Sequence, residues 1–300
     1  MKKQPQKSRA TEVRNPRSRG LDTLSPANIL RIINREDETV ARAVRRAIPA
    51  ITRAVNAAVR GIKSGGRLIY VGAGTSGRLA TLDASECPPT FGVSPQVIQA
   101  IVAGGPKALT SAVEGAEDSA AQGARDLAAK KLTSRDVVAG IAASGTTPYV
   151  LGALQHAERR GVTTIAITSN ERSPLARRAS IAIVTRTGPE VIAGSTRLKA
   201  GTAQKMVLNM LSTAVMVRLG HVYDNWMIDV TPTNKKLRER GLRIVAEASG
   251  AHVSDAAQAL RQSGYNLRIA LVMLKGKCSV DEARARLGAA RNNLRSALNE

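Results

Sequence analysis

Only two cysteines occur in the 300 residues, Cys87 and Cys278, far apart and outside any CxxC or Cys/His spacing. That excludes a disulfide framework and a thiolate zinc site, and both are expected to be free thiols. Aromatic residues make up 2% of the chain, too few for the stacking platforms of single-strand nucleic-acid binders. No apolar run reaches the length of a membrane span, since the best stretch, MVLNMLSTAVMVRLG at 206–220, is short and follows Lys205. The N-terminus is basic but has no apolar segment ahead of a small-residue cleavage site, so a secretory signal is not expected. A cytoplasmic protein is the resulting expectation. The three histidines, His156, His221 and His252, follow no nucleophile or ligand pattern and read as surface or packing residues, so no metal is expected.

Acidic residues are in the minority, 23 against 45 Lys and Arg, for a net charge of +22. Such a chain attracts polyanions whatever its purpose. The distribution argues against nucleic acid as the partner. Seven of the basic residues fall in the first twenty positions among Pro and Ser, with a single glutamate, which reads as a disordered basic tail over 1–20. Elsewhere they occupy the polar faces of helical segments such as ARAVRRAIPAITRAVNAAVRGIK.

What the chain has in plenty is apolar content, 43%, arranged in two alternating periods. Val40, Val44, Ile48, Ile51, Val55, Val59 and Ile62 recur at three and four, which predicts an amphipathic helix over 37–62, ended by Gly65-Gly66. Five short runs rich in Val and Ile follow, at 67–72, 96–104, 136–144, 162–168 and 181–186. Helical stretches separate them near 106–114, 119–131 and 147–160, and a long helix is expected over about 198–219. Strands without polar alternation, spaced by helices, predict an α/β fold: an open parallel sheet covered by helices on both faces. Beyond about Asn234 the strand-like runs stop. Short helical pieces ending near Gly, with Ser254 and Ser279 as N-caps, predict a small all-helical module. The expected division is a tail at 1–20, an α/β domain at 21–235 and a helical module at 236–300.

Three loops carry the chemistry. Gly72-Ala73-Gly74-Thr75-Ser76-Gly77 has the GxGxxG spacing between a strand and a helix. The dinucleotide reading also needs an acid at the end of the second strand to hold the ribose, and that run ends in Gly104-Gly105. What remains is a turn whose backbone N–H groups and two hydroxyls, Thr75 and Ser76, suit one phosphate. AASGTTPYV offers Ser144, Thr146 and Thr147 at the carboxyl end of a strand, where ligands of open parallel sheets bind. AGSTRLKAGTAQK offers Ser195, Thr196, Arg197, Lys199 and Gln204 ahead of the long helix, with Lys199 as a charge partner for the phosphate. Together the loops point to a phosphorylated sugar.

The order of GAGTSG, SGTT and STRLKAGTAQ resembles the sugar isomerase domain, a flavodoxin-like three-layer sandwich. Within that superfamily, GAGTSGRLATLDASECPPTFG, AVEGAEDS, GIAASGTTPYV and GSTRLKAGTAQKMVLNMLST are similar to the N-acetylmuramic acid 6-phosphate etherases over most of 27–235, and 240–298 resembles that family's C-terminal module. The basic tail and the high arginine content depart from the family pattern. The resemblance implies cleavage of the C3 lactyl ether to N-acetylglucosamine 6-phosphate and D-lactate, without a cofactor, by a homodimer. It also implies two catalytic acids, Glu86 ahead of Pro88 and Pro89, which are expected to end its helix, and Glu117 in GAED, where Glu114 and Asp118 are neighbours. The division of labour between the two is left open. A phosphosugar aldose–ketose isomerase or a non-catalytic sugar-phosphate sensor would use the same loops.

Overall fold

The structure, a computed structural model, describes residues 11–230 and 234–300. It falls into two compact units, Met1–Ser85 with Pro95–Thr213, and Glu86–Ser94 with Ala214–Glu300. The division comes about twenty residues before the one the sequence suggests, because 214–230 packs with the C-terminal helices.

The first unit is built on five parallel strands, β1 (Leu68–Gly72), β2 (Ile98–Val102), β3 (Val137–Ile141), β4 (Thr163–Thr168) and β5 (Ile181–Val184). They stand in the order β2-β1-β3-β4-β5. All five fall inside the runs read from sequence. Both β1 and β3 are buried along their whole length, as a central strand covered on both faces must be. One face packs Ile69, Val71 and Val138 against Leu127, Tyr149, Val150, Leu154 and Leu175, which come from α3 (Ala120–Ala128), α4 (Pro148–Arg159) and α5 (Pro174–Arg178).

The other face carries Tyr70, whose hydroxyl donates to Asp83 of α2 (Gly74–Phe91) at 3.0 Å. The second Asp83 oxygen accepts from Asn209 at 2.8 Å and Ser212 at 3.0 Å, both on α6 (Lys199–Arg218). Burial pushes the Asp83 carboxyl above its ordinary range against these three bonds. A single carboxyl thus joins β1, α2 and α6.

Helix α1 (Pro26–Lys63) starts well before the expected residue 37, with Ser25 as N-cap and Pro26 in the first turn. Two further expectations fail. Pro88 and Pro89 lie inside α2 and do not end it: Phe91 is buried, and Gly92, at φ +63°, closes the helix by donating to the Pro88 carbonyl. Residues 106–114 form only a short 3-10 turn at Pro106–Leu109, with Gly104 and Gly105 before it and Gly115 after it at positive φ.

The expected tail is also corrected. Its first ten residues lie outside the described ones, but 11–20 are packed, with Thr11 and Asn15 buried and a 3-10 turn at Pro16–Ser18.

The second unit holds a two-stranded hairpin, β6 (Val222–Tyr223) with β7 (Trp226–Met227). Helices α7 (Lys235–Ser249), α8 (Val253–Gln262), α9 (Leu267–Gly276), α10 (Val280–Ala289) and α11 (Leu294–Ala297) follow, closed around Ile244, Val245, Leu260, Leu271 and Leu287. Ser279 caps α10 in a full capping box with Glu282. The α8 cap is His252, whose ring accepts from the Ser254 N–H, two residues earlier than the Ser254 expected. His221 pairs with Asp229 at 2.7 Å, and Asp229 also takes both arms of Arg268, so that histidine ties the helical unit together.

Candidate active site

In this strand order the connections leaving β1 and β3 turn to opposite sides of the sheet, which opens a crevice at their carboxyl ends. A cleft of about 560 Å³ lies there. Its floor is Ile141 to Ala143 at the end of β3, and its walls are the loops after β1 and β3.

Gly72 and Gly77 make the first loop possible by close approach. A Cβ on Gly72 would fall 2.7 Å from the Gly77 nitrogen, and one on Gly77 would fall 2.6 Å from Val102 Cγ2 and 2.9 Å from the Gly72 carbonyl oxygen. The turn therefore folds tightly onto β1 and aims the first turn of α2 into the cleft. Gly77→Ala is expected to cost about 1–3 kcal/mol of stability through overpacking and to weaken phosphosugar binding, measured by thermal unfolding and by titration.

Thr75 and Ser76 of this loop line the cleft. Ser76 is buried and its hydroxyl donates to Gln204 Oε1 of α6 at 2.9 Å. On the opposite wall, the Ser144 oxygen accepts from both the Thr146 N–H at 3.2 Å and the Thr146 hydroxyl at 3.0 Å. Thr147 stands at the N-cap of α4 and makes no side-chain capping bond, and Ser144, Thr146 and Thr147 all line the cleft. Hydroxyls and helix N-termini from two walls converge as an anion site does.

Glu117 lines the same cleft, as does Asp118. Glu117 is held by its backbone, whose carbonyl accepts the Tyr149 N–H at 3.0 Å, so the first turn of α4 fixes the acid beside Thr147. Glu114 is exposed and outside the lining.

The third loop contributes Thr196 and Gly194, whereas Ser195 is not among the lining residues. Lys199 is placed elsewhere. It is buried, and its ammonium pairs with buried Glu36 of α1 at 2.6 Å, while its N–H and that of Ala200 donate to Glu190 at 2.9 Å each. Burial pushes the Glu190 carboxyl up in spite of those two bonds. Lys199 is thus part of the frame of α6 rather than a lining residue. Glu86 is exposed on the last turns of α2 and falls in the second unit.

One acid in the lining escaped the sequence reading. Glu12 sits at the cleft, in a stretch whose Arg, Pro and Ser content reads as solvated.

Two family models match the chain, the glucokinase regulatory protein N-terminal SIS domain over 50–158 and the SIS domain over 116–214. N-acetylmuramic acid 6-phosphate etherase of Pectobacterium atrosepticum is 53% identical over 96% of this chain and 95% of its own. The chain belongs to the N-acetylmuramic acid 6-phosphate etherase family. The etherase of Clostridium beijerinckii is 48% identical over 98% of this chain and 97% of its own. A solved Bacteroides fragilis structure, assigned as a phosphosugar isomerase involved in capsule formation, shares the fold at a TM-score of 0.50 and 21% identity, over 66% of this chain and 94% of its own. The etherase family thus sits on the open parallel sheet read from the sequence, and no helix among the described residues is long and apolar enough to cross a membrane.

Proposed function

We propose that the protein cleaves the ether between C3 of N-acetylmuramic acid 6-phosphate and D-lactate, as a homodimer in the cytoplasm, in the recycling of wall amino sugars. The near full-length likeness to etherases carries this reading, and the hydroxyls and the Glu117 carboxyl that line the cleft support it. The loops of Thr75, Ser76, Ser144, Thr146 and Thr147 take the phosphate, with Thr196 closing the site. That leaves the sugar's C2 and C3 near Glu117.

An alkoxide is a poor leaving group, so the bond is broken by elimination. In the open-chain sugar the C1 aldehyde acidifies C2–H. A carboxylate removes that proton, the electron pair forms the C2–C3 double bond, and the C3–O bond breaks as an acid protonates the departing lactate oxygen. Water then adds across the double bond, its oxygen to C3 and a proton to C2, giving N-acetylglucosamine 6-phosphate. Glu117 of the cleft and Glu86, which the family resemblance implies, are the two proposed proton-transfer residues, with the division of labour between them open.

The test is incubation with N-acetylmuramic acid 6-phosphate in deuterated water, with D-lactate assayed enzymatically and C2 of the product read by NMR and mass. Lactate together with deuterium at C2 is the expected result. Exchange at C2 without lactate would move the assignment to an aldose–ketose isomerase, and binding with neither would indicate a sensor.

A further inference from the structure

Glu12 is brought to the cleft by a strap that comes from outside the sheet. Residues 11–18 run alongside 189–194: the Gly194 N–H donates to the Thr11 carbonyl at 3.0 Å, the Ser18 hydroxyl to the Val191 carbonyl at 2.7 Å, and the Asn15 amide to the Pro189 carbonyl at 3.3 Å. The same Asn15 amide reaches Glu36 at 2.9 Å, and Arg17 reaches the other Glu36 oxygen at 3.0 Å. Glu36 in turn holds Lys199. The strap is therefore fastened to α1 and, through one buried ion pair, to the start of α6.

Its cleft end is Thr11, fully buried, and Glu12 is the next residue. The Glu12 carboxyl stands against Gly194, where a Cβ would lie 3.2 Å from Glu12 Oε2 on a backbone at φ +78°. A side chain at 194 would crowd the carboxyl, and the glycine leaves it room. Among the described lining residues there is no Lys or Arg, so none of them neutralises Glu12, whose carboxyl accepts from the Thr11 hydroxyl at 3.5 Å. A carboxylate so placed repels phosphate and needs neutral donors.

We propose that Glu12 is a substrate-binding residue that accepts hydrogen bonds from hydroxyl or amide N–H groups of the sugar, and so selects the sugar while the hydroxyl loops hold the phosphate. This rests on reading the cleft as a phosphosugar site. The strap, through Glu36 and Lys199, serves as its positioning device.

The experiment is calorimetric titration of the wild type, Glu12→Ala and Glu12→Gln with N-acetylglucosamine 6-phosphate and, separately, inorganic phosphate, with thermal unfolding of each variant alongside. A hydrogen bond to a charged acceptor corresponds to roughly a 10- to 100-fold change in affinity. Glu12→Ala is expected to weaken the sugar phosphate by that factor and to leave inorganic phosphate unchanged or slightly tighter, with the melting temperature intact because the side chain is exposed. Glu12→Gln, which keeps the shape and loses the charge, is expected to fall between. In turnover, KM should rise more than kcat falls. Wild-type affinity for the sugar phosphate in both variants would overturn the role of Glu12 and leave the phosphosugar site standing. Failure of the wild type to bind the sugar phosphate would overturn both.

Discussion

Glu117→Gln is expected to lower lactate release by two to four orders of magnitude while phosphosugar affinity stays within a few-fold, and Glu86→Gln to do the same. General acid–base catalysis contributes about 10²–10⁴ in rate, and an amide of the same shape can neither take the C2 proton nor return one to the leaving oxygen. Glutamine keeps the hydrogen-bonding outline, so binding through the hydroxyl loops is left in place. Steady-state kinetics with lactate detection, paired with titration of N-acetylglucosamine 6-phosphate, separates the two effects. Asp118→Asn is the informative control because Asp118 shares the cleft with Glu117: a loss in Asp118→Asn beside wild-type rates in Glu117→Gln would move the proton-transfer role to Asp118. Wild-type rates in either glutamine variant would remove that glutamate from the mechanism. Exchange of C2–H in deuterated water by a variant that releases no lactate would identify the surviving group as the base.

The second large effect is on stability. Lys199→Met is expected to cost about 3 kcal/mol, read as a lowered midpoint in chemical denaturation. The ammonium and the Glu36 carboxylate are both buried, with side chains 2% and 4% exposed, and removing one partner strands the other charge. Arg17, itself 66% exposed, and Asn15 continue to hold Glu36, which keeps the loss at the lower end for a buried pair. The pH dependence follows. Burial pushes the Glu36 carboxyl up, but its bonds to Lys199, Arg17 and Asn15 outweigh that and leave it below the ordinary range. A carboxylate depressed in the folded state stabilises above its unfolded pKa, about 4.3 for glutamate. That stability drains away as the pH falls from there through the lower folded value. In Lys199→Met this acid-side loss should shrink, and an unchanged acid limb would mean that the pair does not carry it.

The five strands and the helices α4 and α6 are legible in the sequence because each is specified locally, by β-branched apolar runs or by three-four periodicity between Gly and Pro. The hydroxyl loops are legible for the same reason, since position after a strand and before a helix already says where a Ser or Thr points. What is not legible depends on distant partners. Lys199 reads as a phosphate ligand until Glu36, 163 residues away in sequence, is found beside it. Glu12 reads as part of a solvated tail until the carbonyl of Thr11 is seen accepting from Gly194. Pro88 and Pro89 read as a helix stop, and only the burial of Phe91 beyond them shows why the helix continues.

The cleft also stands apart from the rest of the molecule in its charge. The chain carries +22 overall, yet among its described lining residues the cleft has hydroxyls, backbone and three carboxyl side chains, and no cation. Carboxyls and a phosphosugar carry the same sign and salt screens their repulsion, so affinity for a phosphosugar is expected to hold or rise as ionic strength increases. The acidic lining also turns away the polyanions that the basic exterior attracts. The same carboxyls repel the anionic groups of the phosphosugar, so its binding rests on the short-range hydrogen bonds of the hydroxyl loops, which a stacked and bulky nucleic acid drawn to the basic exterior has no means to reach.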